Sequence, residues 1–560
     1  MLFPYLDTIL RHRECSTALT SQSKRNPLPQ DPPPQPSPRL PSREEGRILR
    51  ASALISGATL LSRILGFARD IILARFFGAG IAADAFFVAY RIPNMLRELF
   101  AEGSMAAAFI PVFSEYIKKR SHHDAKDLAN TAFTTLLLLL TLVCILGVLG
   151  TPAIVYVIAM GFADDPEKQA LTIELTRMMF PYLILVGLSA LVMGILNTVR
   201  SFAAPAFAPV MFNLTIIFCA FLVAPQLSNP IYGIAIGVVL GGCAQFLIQL
   251  PHLRRANFSL SFRWNLSHPG VKRIGALIVP TIFGLGVTQA NLLLNTILAS
   301  FLATGSVTFL FYGMRLIHFP LGLVGIALAT AILPSLSALT ANDEHDELNR
   351  RIEFGLRHVL FLMIPATVGL IMLRTPLIHL FFEHGEFTAE ATRGTAIAVA
   401  FYAIGLWAFG AIRIVVSAFY ALQDTRTPVR VAMLALFCNI ALSLSLIGPL
   451  QHGGLALATS IATILNVSIL LRLLVKKIGP LDWQAIATSL LRTAIASLVI
   501  GIICRWVAIH GLWVQSGHWV AKAMLLGTGV LLSIAVYLGI HILMRSPELS
   551  AIRHALAKRL

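Results

Sequence analysis

Arg63, Arg69, Asp70 and Arg75 interrupt an apolar stretch of about twenty residues, the length of a bilayer span, and Asp84, Arg91, Arg97, Glu98 and Glu102 interrupt the next. Charge at bilayer depth costs about 2.5–3.5 kcal/mol per Arg, Lys or Asp even on lenient scales, so this concentration requires compensation. The usual compensation is a water-filled cavity that handles charged cargo. Guanidinium groups match phosphate oxygens bidentately and stay charged at any relevant pH. A later segment, RLIHFP, supplies Arg315, His318 and Pro320, with Thr308 two turns earlier on the face of Arg315. Arginines from both segments could clamp a diphosphate.

Helical spacing divides the charges. Arg63 and Asp70, seven apart, share a face, and Arg69 points elsewhere. Arg91, Glu98 and Glu102 form one stripe with Arg97 off it. Arg75, Arg91, Glu98 and Glu102 are expected to pair and staple helices, because carboxylates lie within helical reach. Arg63, Arg69, Arg97 and Arg315 are expected to meet cargo, because basic residues outnumber acids in these spans. His318 reads equally as a proton-linked switch or a packed polar residue. Arg177, Arg374 and Arg413 are expected near span ends, snorkelling to the interface. Pro93 and Pro111 should kink the second helix beside protein or a cavity.

The elements that hold these residues follow from composition. The chain is 56% hydrophobic and only 13% charged, with a mean hydropathy of +0.77, far from soluble averages of about 25% charged. Near-continuous apolar runs such as 133–148 and 359–373 specify helices, since barrel strands alternate polar and apolar residues. The expected class is an all-α polytopic membrane protein with about fourteen spans, near 50–77, 84–117, 128–160, 170–198, 204–224, 231–253, 274–302, 307–339, 353–382, 394–421, 428–447, 454–475, 484–509 and 520–544. Residues 1–48, dense in Pro and Ser, read as a disordered tail. Basic residues crowd alternate links, whereas the opposite set holds only Lys168 and Arg393, which puts both termini in the cytoplasm. The net charge of +17 therefore tracks topology and gives no reason to expect a nucleic-acid partner. The cysteines stand singly, without a disulfide or metal spacing.

A weak repeat at a spacing near 225 residues relates the two halves. Ile72-Leu73-Ala74, Phe76 and Gly80 recur as Ile297-Leu298-Ala299, Phe301 and Gly305; Arg91 answers to Arg315, and Pro111 to Pro334. A six-span unit keeps orientation, so the copies form parallel lobes, 50–255 and 272–477, an arrangement typical of transporters. Residues 484–544 add two helices outside the repeat, and 545–560 read as a basic amphipathic surface helix. No phosphate loop, HExxH or GxSxG occurs, so no cofactor or catalytic residue is expected, and transport must draw on gradients or potential.

The run SRILGFARDIILARFFGAGIAADAFFVAYRIPNMLRELFAEGSMAAAFIPVFSEY, with FAAPAFAPVMFN and GSVTFLFYGMRLIHFPLGLVGIALATAILPSLS, closely resembles the MurJ (MviN) lipid II flippases of bacteria, in the MOP superfamily beside the MATE exporters. The resemblance covers about residues 50 to 545. It implies export of lipid II, the undecaprenyl-diphosphate disaccharide pentapeptide, across the bacterial inner membrane for peptidoglycan synthesis, with membrane lipids and the cell-wall synthesis machinery as further partners. It also implies a cationic cavity between two lobes, and a groove in the last two helices for the polyprenyl tail. Family cavity residues fall on Arg63, Arg69, Asp70, Asp84, Arg97, Thr308 and Arg315; Thr308 replaces a Ser of some members, and His318 a Glu.

Two other readings compete. A flippase for another polyprenyl-diphosphate glycan would share every feature above. A membrane-embedded glycosyltransferase acting on the same carrier would need a catalytic acid in a sizeable external loop, and the external links here are short. A MATE-type cation exporter should line its cavity with acids, and a scaffold without transport would leave the buried charge unexplained.

Overall fold

The computed structural model describes residues 43–99, 104–265, 267–341, 344–515 and 517–557. The chain divides into two units, residues 1–52 and 53–560. Of the first, only 43–52 are described, and they are helical; the rest of the expected tail, Cys15 and Glu102 lie outside the described residues. Among the described residues no strand occurs. That is the expected all-α class, and a hydrocarbon solvent favours it, because a helix satisfies its backbone groups internally.

Arg43–Phe77 (α1) leads through a glycine-bounded turn to Ile81–Arg97 (α2). The second expected span holds two described helices, α2 and Ser104–Lys119 (α3), with residues 100–103 between them outside the described residues; Pro93 and Pro111 are both carried inside helices. His122–Ile158 (α4) starts with a reciprocal cap, Ser121 Oγ accepting from the Asp124 amide at 3.1 Å and the Asp124 carboxylate from the Ser121 amide at 3.3 Å. Pro166–Met179 (α5) has Asp165 as its cap, and Tyr182–Thr198 (α6), Ala203–Leu222 (α7), Ile231–Leu247 (α8) and Leu250–Arg255 (α9) complete the first half.

An extended stretch then follows α4, where Asn130 Oδ1 accepts from the Ser261 amide at 3.0 Å and Thr134 Oγ1 from the Arg263 amide at 2.8 Å. Pro269–Ser300 (α10) packs on α3 and α4 on one side and on the later, long helix of the second half on another. Ser306–Pro320 (α11) passes through a π-turn at 321–325 into Ile326–Ala341 (α12). His345–Phe381 (α13) follows, then Ala389–Ile404 (α14) and Leu406–Ala421 (α15), which meet at a 42° bend. Arg426–Ile478 (α16) runs through the eleventh and twelfth expected spans, and Gln451 (φ 50°, ψ −132°) marks a kink in their link.

Trp483–Ala508 (α17) and Trp519–Leu543 (α18) pack on each other and on α13. Pro547–Ala557 (α19) is docked: Leu549 joins a buried cluster with Phe361, Ala496 and Tyr537. Arg357 holds buried Glu548, with Nε 2.7 Å from Oε1. Eight described helices are long and apolar enough to cross a membrane, nine counting the bent pair. Between such helices, cohesion comes from close packing and polar contacts, because lipid is as apolar as the side chains it replaces.

Candidate functional site

A cavity of about 1100 Å³ opens between α1, α2, α10, α11, α15 and α16, with smaller contributions from α6, α7, α8 and α14. Six arginines line it: Arg63 and Arg69 from α1, Arg91 and Arg97 from α2, Arg315 from α11 and Arg413 from α15. Glu98 is the only carboxylate among the described lining residues. Charge of one sign behind low-dielectric walls focuses the field and concentrates counter-ions, here anions.

Asp70 organises two of these arginines. It is fully buried, and its Oδ1 accepts from Arg69 Nε at 3.0 Å and Nη2 at 2.7 Å. Its Oδ2 forms an ion pair with Arg315 Nε at 2.6 Å, across from α1 to α11. Arg69 also donates Nη1 to Asn213 Oδ1 at 3.1 Å, and Asn213 is held in turn by the carbonyls of Ser62 and Pro209, each at 3.1 Å. Arg69 is therefore spent largely on protein partners, whereas Arg315 lines the cavity with 32% of its side chain exposed. Gly66 makes room for it, since a Cβ there would lie 2.9 Å from Arg315 Nη2.

On α2, Arg97 donates Nε to Asn94 Oδ1 at 3.1 Å. Glu98 accepts from Asn94 Nδ2 at 3.0 Å and from Gln289 Nε2 of α10 at 2.6 Å, so it ties two walls together. Arg91, expected to staple, lines the cavity and makes no ion pair among the described residues. Arg75 is exposed and is not among the lining residues, and its carbonyl accepts from the Glu386 amide at 2.9 Å. Arg63 and His318 are exposed to the cavity. Arg413, expected to snorkel at a span end, sits mid-helix in α15 and lines the cavity instead.

Asp84 and Thr308 are brought together, but outside the cavity lining. Both are buried. Asp84 Oδ1 accepts from the Thr308 amide at 3.0 Å and its hydroxyl at 2.7 Å, and Oδ2 accepts from the Gly305 amide at 2.7 Å and from Lys168 Nζ at 2.8 Å. The carboxylate thus caps the N-terminus of α11, where free amides and the helix dipole favour negative charge, and pairs with a cation from α5.

No group of three or more His, Cys, Asp or Glu side chains suited to a metal occurs among the described residues. With six arginines and one carboxylate among its described lining residues, the arrangement can hold an anion. Residues 73–525 match the family described as lipid II flippase MurJ. The chain belongs to the lipid II flippase MurJ family. A Vibrio cholerae relative described as a probable lipid II flippase MurJ is 41% identical over 76% of this chain and 82% of its own length. A Burkholderia cenocepacia lipid II flippase MurJ is 38% identical over 83% of this chain and 91% of that protein. A solved lipid II flippase MurJ in an inward closed conformation superposes with a TM-score of 0.73 at 28% identity, covering 88% of this chain and 99% of the other. The MurJ-family chain is a transporter rather than an enzyme.

Sequence reasoning had no hold on Asn213, a neutral residue whose importance lies in what it supports. Lys168 left a trace, as one of only two cations in the links on its side. Arg413 left a stronger one, lying eight residues inside the apolar run LWAFGAIRIVVSAFYA.

Proposed function

We propose that the chain flips lipid II, with the arginine cavity holding its diphosphate. The observation that carries this reading is the convergence of six guanidinium groups from four helices on one cavity with a single lining carboxylate. A cation exporter would need the opposite charge. A glycosyltransferase would need a free acid, and Glu98 is engaged with Asn94 and Gln289.

In this reading Arg63, Arg91, Arg97, Arg315 and Arg413 meet the cargo, Arg69 supports the anion site from behind, and Asp70 orients Arg69 and Arg315. Asp84 and Thr308 position α11 and touch no cargo. The lobes 50–255 and 272–477 rock about the cavity to give access from alternate sides, and 484–544 shelter the polyprenyl tail. The protein sits in the bacterial inner membrane with both termini cytoplasmic, the side on which basic links accumulate, within reach of the cell-wall synthesis machinery. An inside-negative potential favours outward movement of anionic cargo by about 2.3 kcal/mol per charge per 100 mV.

In cells depleted of the native flippase, Arg315→Ala and Arg69→Ala should each lower lipid II translocation by about ten- to hundredfold, the worth of a charge-assisted hydrogen bond. Unchanged translocation in both would overturn the diphosphate clamp.

A further inference from the structure

The link between the two halves is built onto α4. Helix α9 closes with the Asn257 amide donating to the Arg254 carbonyl at 3.0 Å and the Phe258 amide to the Leu253 carbonyl at 3.1 Å. Asn257 sits at φ 61°, a left-handed conformation that asparagine tolerates after a helix end. The chain then runs extended beside α4. The Asn257 carbonyl lies 3.3 Å from His122 Nε2, the Ser261 amide donates to Asn130 Oδ1 at 3.0 Å, and the Arg263 amide donates to Thr134 Oγ1 at 2.8 Å. The rises match, because two extended residues cover about 6.6 Å and four helical residues about 6 Å. By Arg263 the stretch has climbed about 18 Å from His122, to Thr134, just inside the apolar run 133–148 of α4.

Alternate residues of an extended chain share a face. On one face, Phe258 is 3% exposed and packs against Phe113 of α3 and His122 of α4, with Leu260 against the same cluster. Phe262 and Trp264 continue that face, yet they are 62% and 65% exposed. The lower half of the apolar stripe is covered by protein and the upper half is not. On the other face Arg263 is drawn back to pair with Asp127. Arg254, Arg255 and Lys272, all exposed, flank the stretch.

Tryptophan concentrates where a bilayer passes from head groups to acyl chains, and irregular backbone facing lipid is tolerated at that level but not in the hydrocarbon. A stretch level with the start of the α4 apolar run, with two amides satisfied by buried α4 side chains, meets both conditions. We infer that 258–264 is an interfacial anchor: Phe262 and Trp264 seat in the head-group boundary of the adjoining leaflet, and Arg254, Arg255 and Lys272 draw anionic phospholipid to it. The strap that joins the lobes is thus held between α4 and the bilayer surface.

The test uses the full-length protein in nanodiscs of phosphatidylcholine with or without phosphatidylglycerol. Trp264, one of six tryptophans, is read as the emission that Trp264→Phe removes. Lipid brominated near the head of its acyl chains should quench most of that emission, and aqueous iodide little of it. Phe262→Ser combined with Trp264→Ser should quicken amide exchange of 259–265 about tenfold or more, with unchanged exchange in α4 showing an intact fold. Omitting phosphatidylglycerol should quicken it less, an effect that Arg254→Gln with Arg255→Gln cancels. Ready quenching by iodide with none by brominated lipid would overturn the anchor. So would shielding from both in particles holding two copies, which would make this face a contact between copies. Exchange indifferent to phosphatidylglycerol would overturn the anionic partner. Both leaflets of a nanodisc have one composition, so these outcomes stand or fall apart from the orientation and cargo proposed above.

Discussion

Asp70 and Asp84 are both buried carboxylates on neighbouring apolar helices, yet one stands behind the cavity wall and the other is sealed in a joint. Asp84 gathers the Gly305 and Thr308 amides, the Thr308 hydroxyl and the Lys168 ammonium, and its four donors have little left for a visitor. Asp70 is shared between two guanidinium groups, one of which, Arg315, lines the cavity with part of its side chain exposed. What distinguishes a working charge from a structural one is the set of donors its partners have left over.

That contrast makes the largest prediction one of stability. Lys168→Met removes a partner from a fully buried pair and should destabilise the protein by about 3–5 kcal/mol, far more than Arg315→Met, after which Asp70 keeps both bonds from Arg69. Denaturation midpoints of the two variants in one detergent would decide it, and similar losses would erase the distinction. A smaller effect is expected from Gly66→Ala, whose Cβ would press on Arg315 Nη2 at 2.9 Å. Nη2 is the far end of a flexible side chain and can shift aside at little cost to the fold, so translocation should fall while the melting temperature stays nearly unchanged; an unaffected rate would mean that the position of Arg315 does not matter.

Glu548 offers the mildest test, as a buried carboxylate of the sealed type outside the spans. Burial raises its pKa, but the Ser546 hydroxyl, its own amide, Ser489 and Arg357 together bring it down to about 2. A depressed carboxylate stabilises the fold in full above its unfolded pKa near 4.5 and loses that contribution as pH falls toward 2. Amide exchange of 547–557 should therefore stay slow down to about pH 4.5 and quicken below it. Arg357→Leu should raise the folded pKa and so leave less stabilisation to lose below pH 4.5, and an undiminished quickening would separate Glu548 from the sealed type.

Charge in an apolar run is the loudest signal a sequence can carry, and it located Arg63, Arg69, Arg97 and Arg315 on what proved to be one cavity. Direction was harder. Helical period tells which residues share a face, not which helix stands opposite, so Arg91 and Arg413 were assigned to staples and span ends although both line the cavity. Asp84 and Thr308 entered the candidate site through the family resemblance, and the structure puts them against each other across 224 positions, outside the cavity lining. Asn213 was invisible for a different reason: a neutral amide carries too small a penalty in lipid to stand out, although this one holds Arg69 in place.

Asp70 is a counter-ion built into the cavity wall. That carboxylate is the anion two of the guanidiniums already hold, and it is tethered to α1 while one of them belongs to α11. An incoming diphosphate is a rival for Arg315 before it is a guest. Each increment of attraction it gains is taken from the tie between the two helices, so occupancy and helix separation become one coupled variable, and whatever loosens that tie must by reciprocity tighten the grip on cargo.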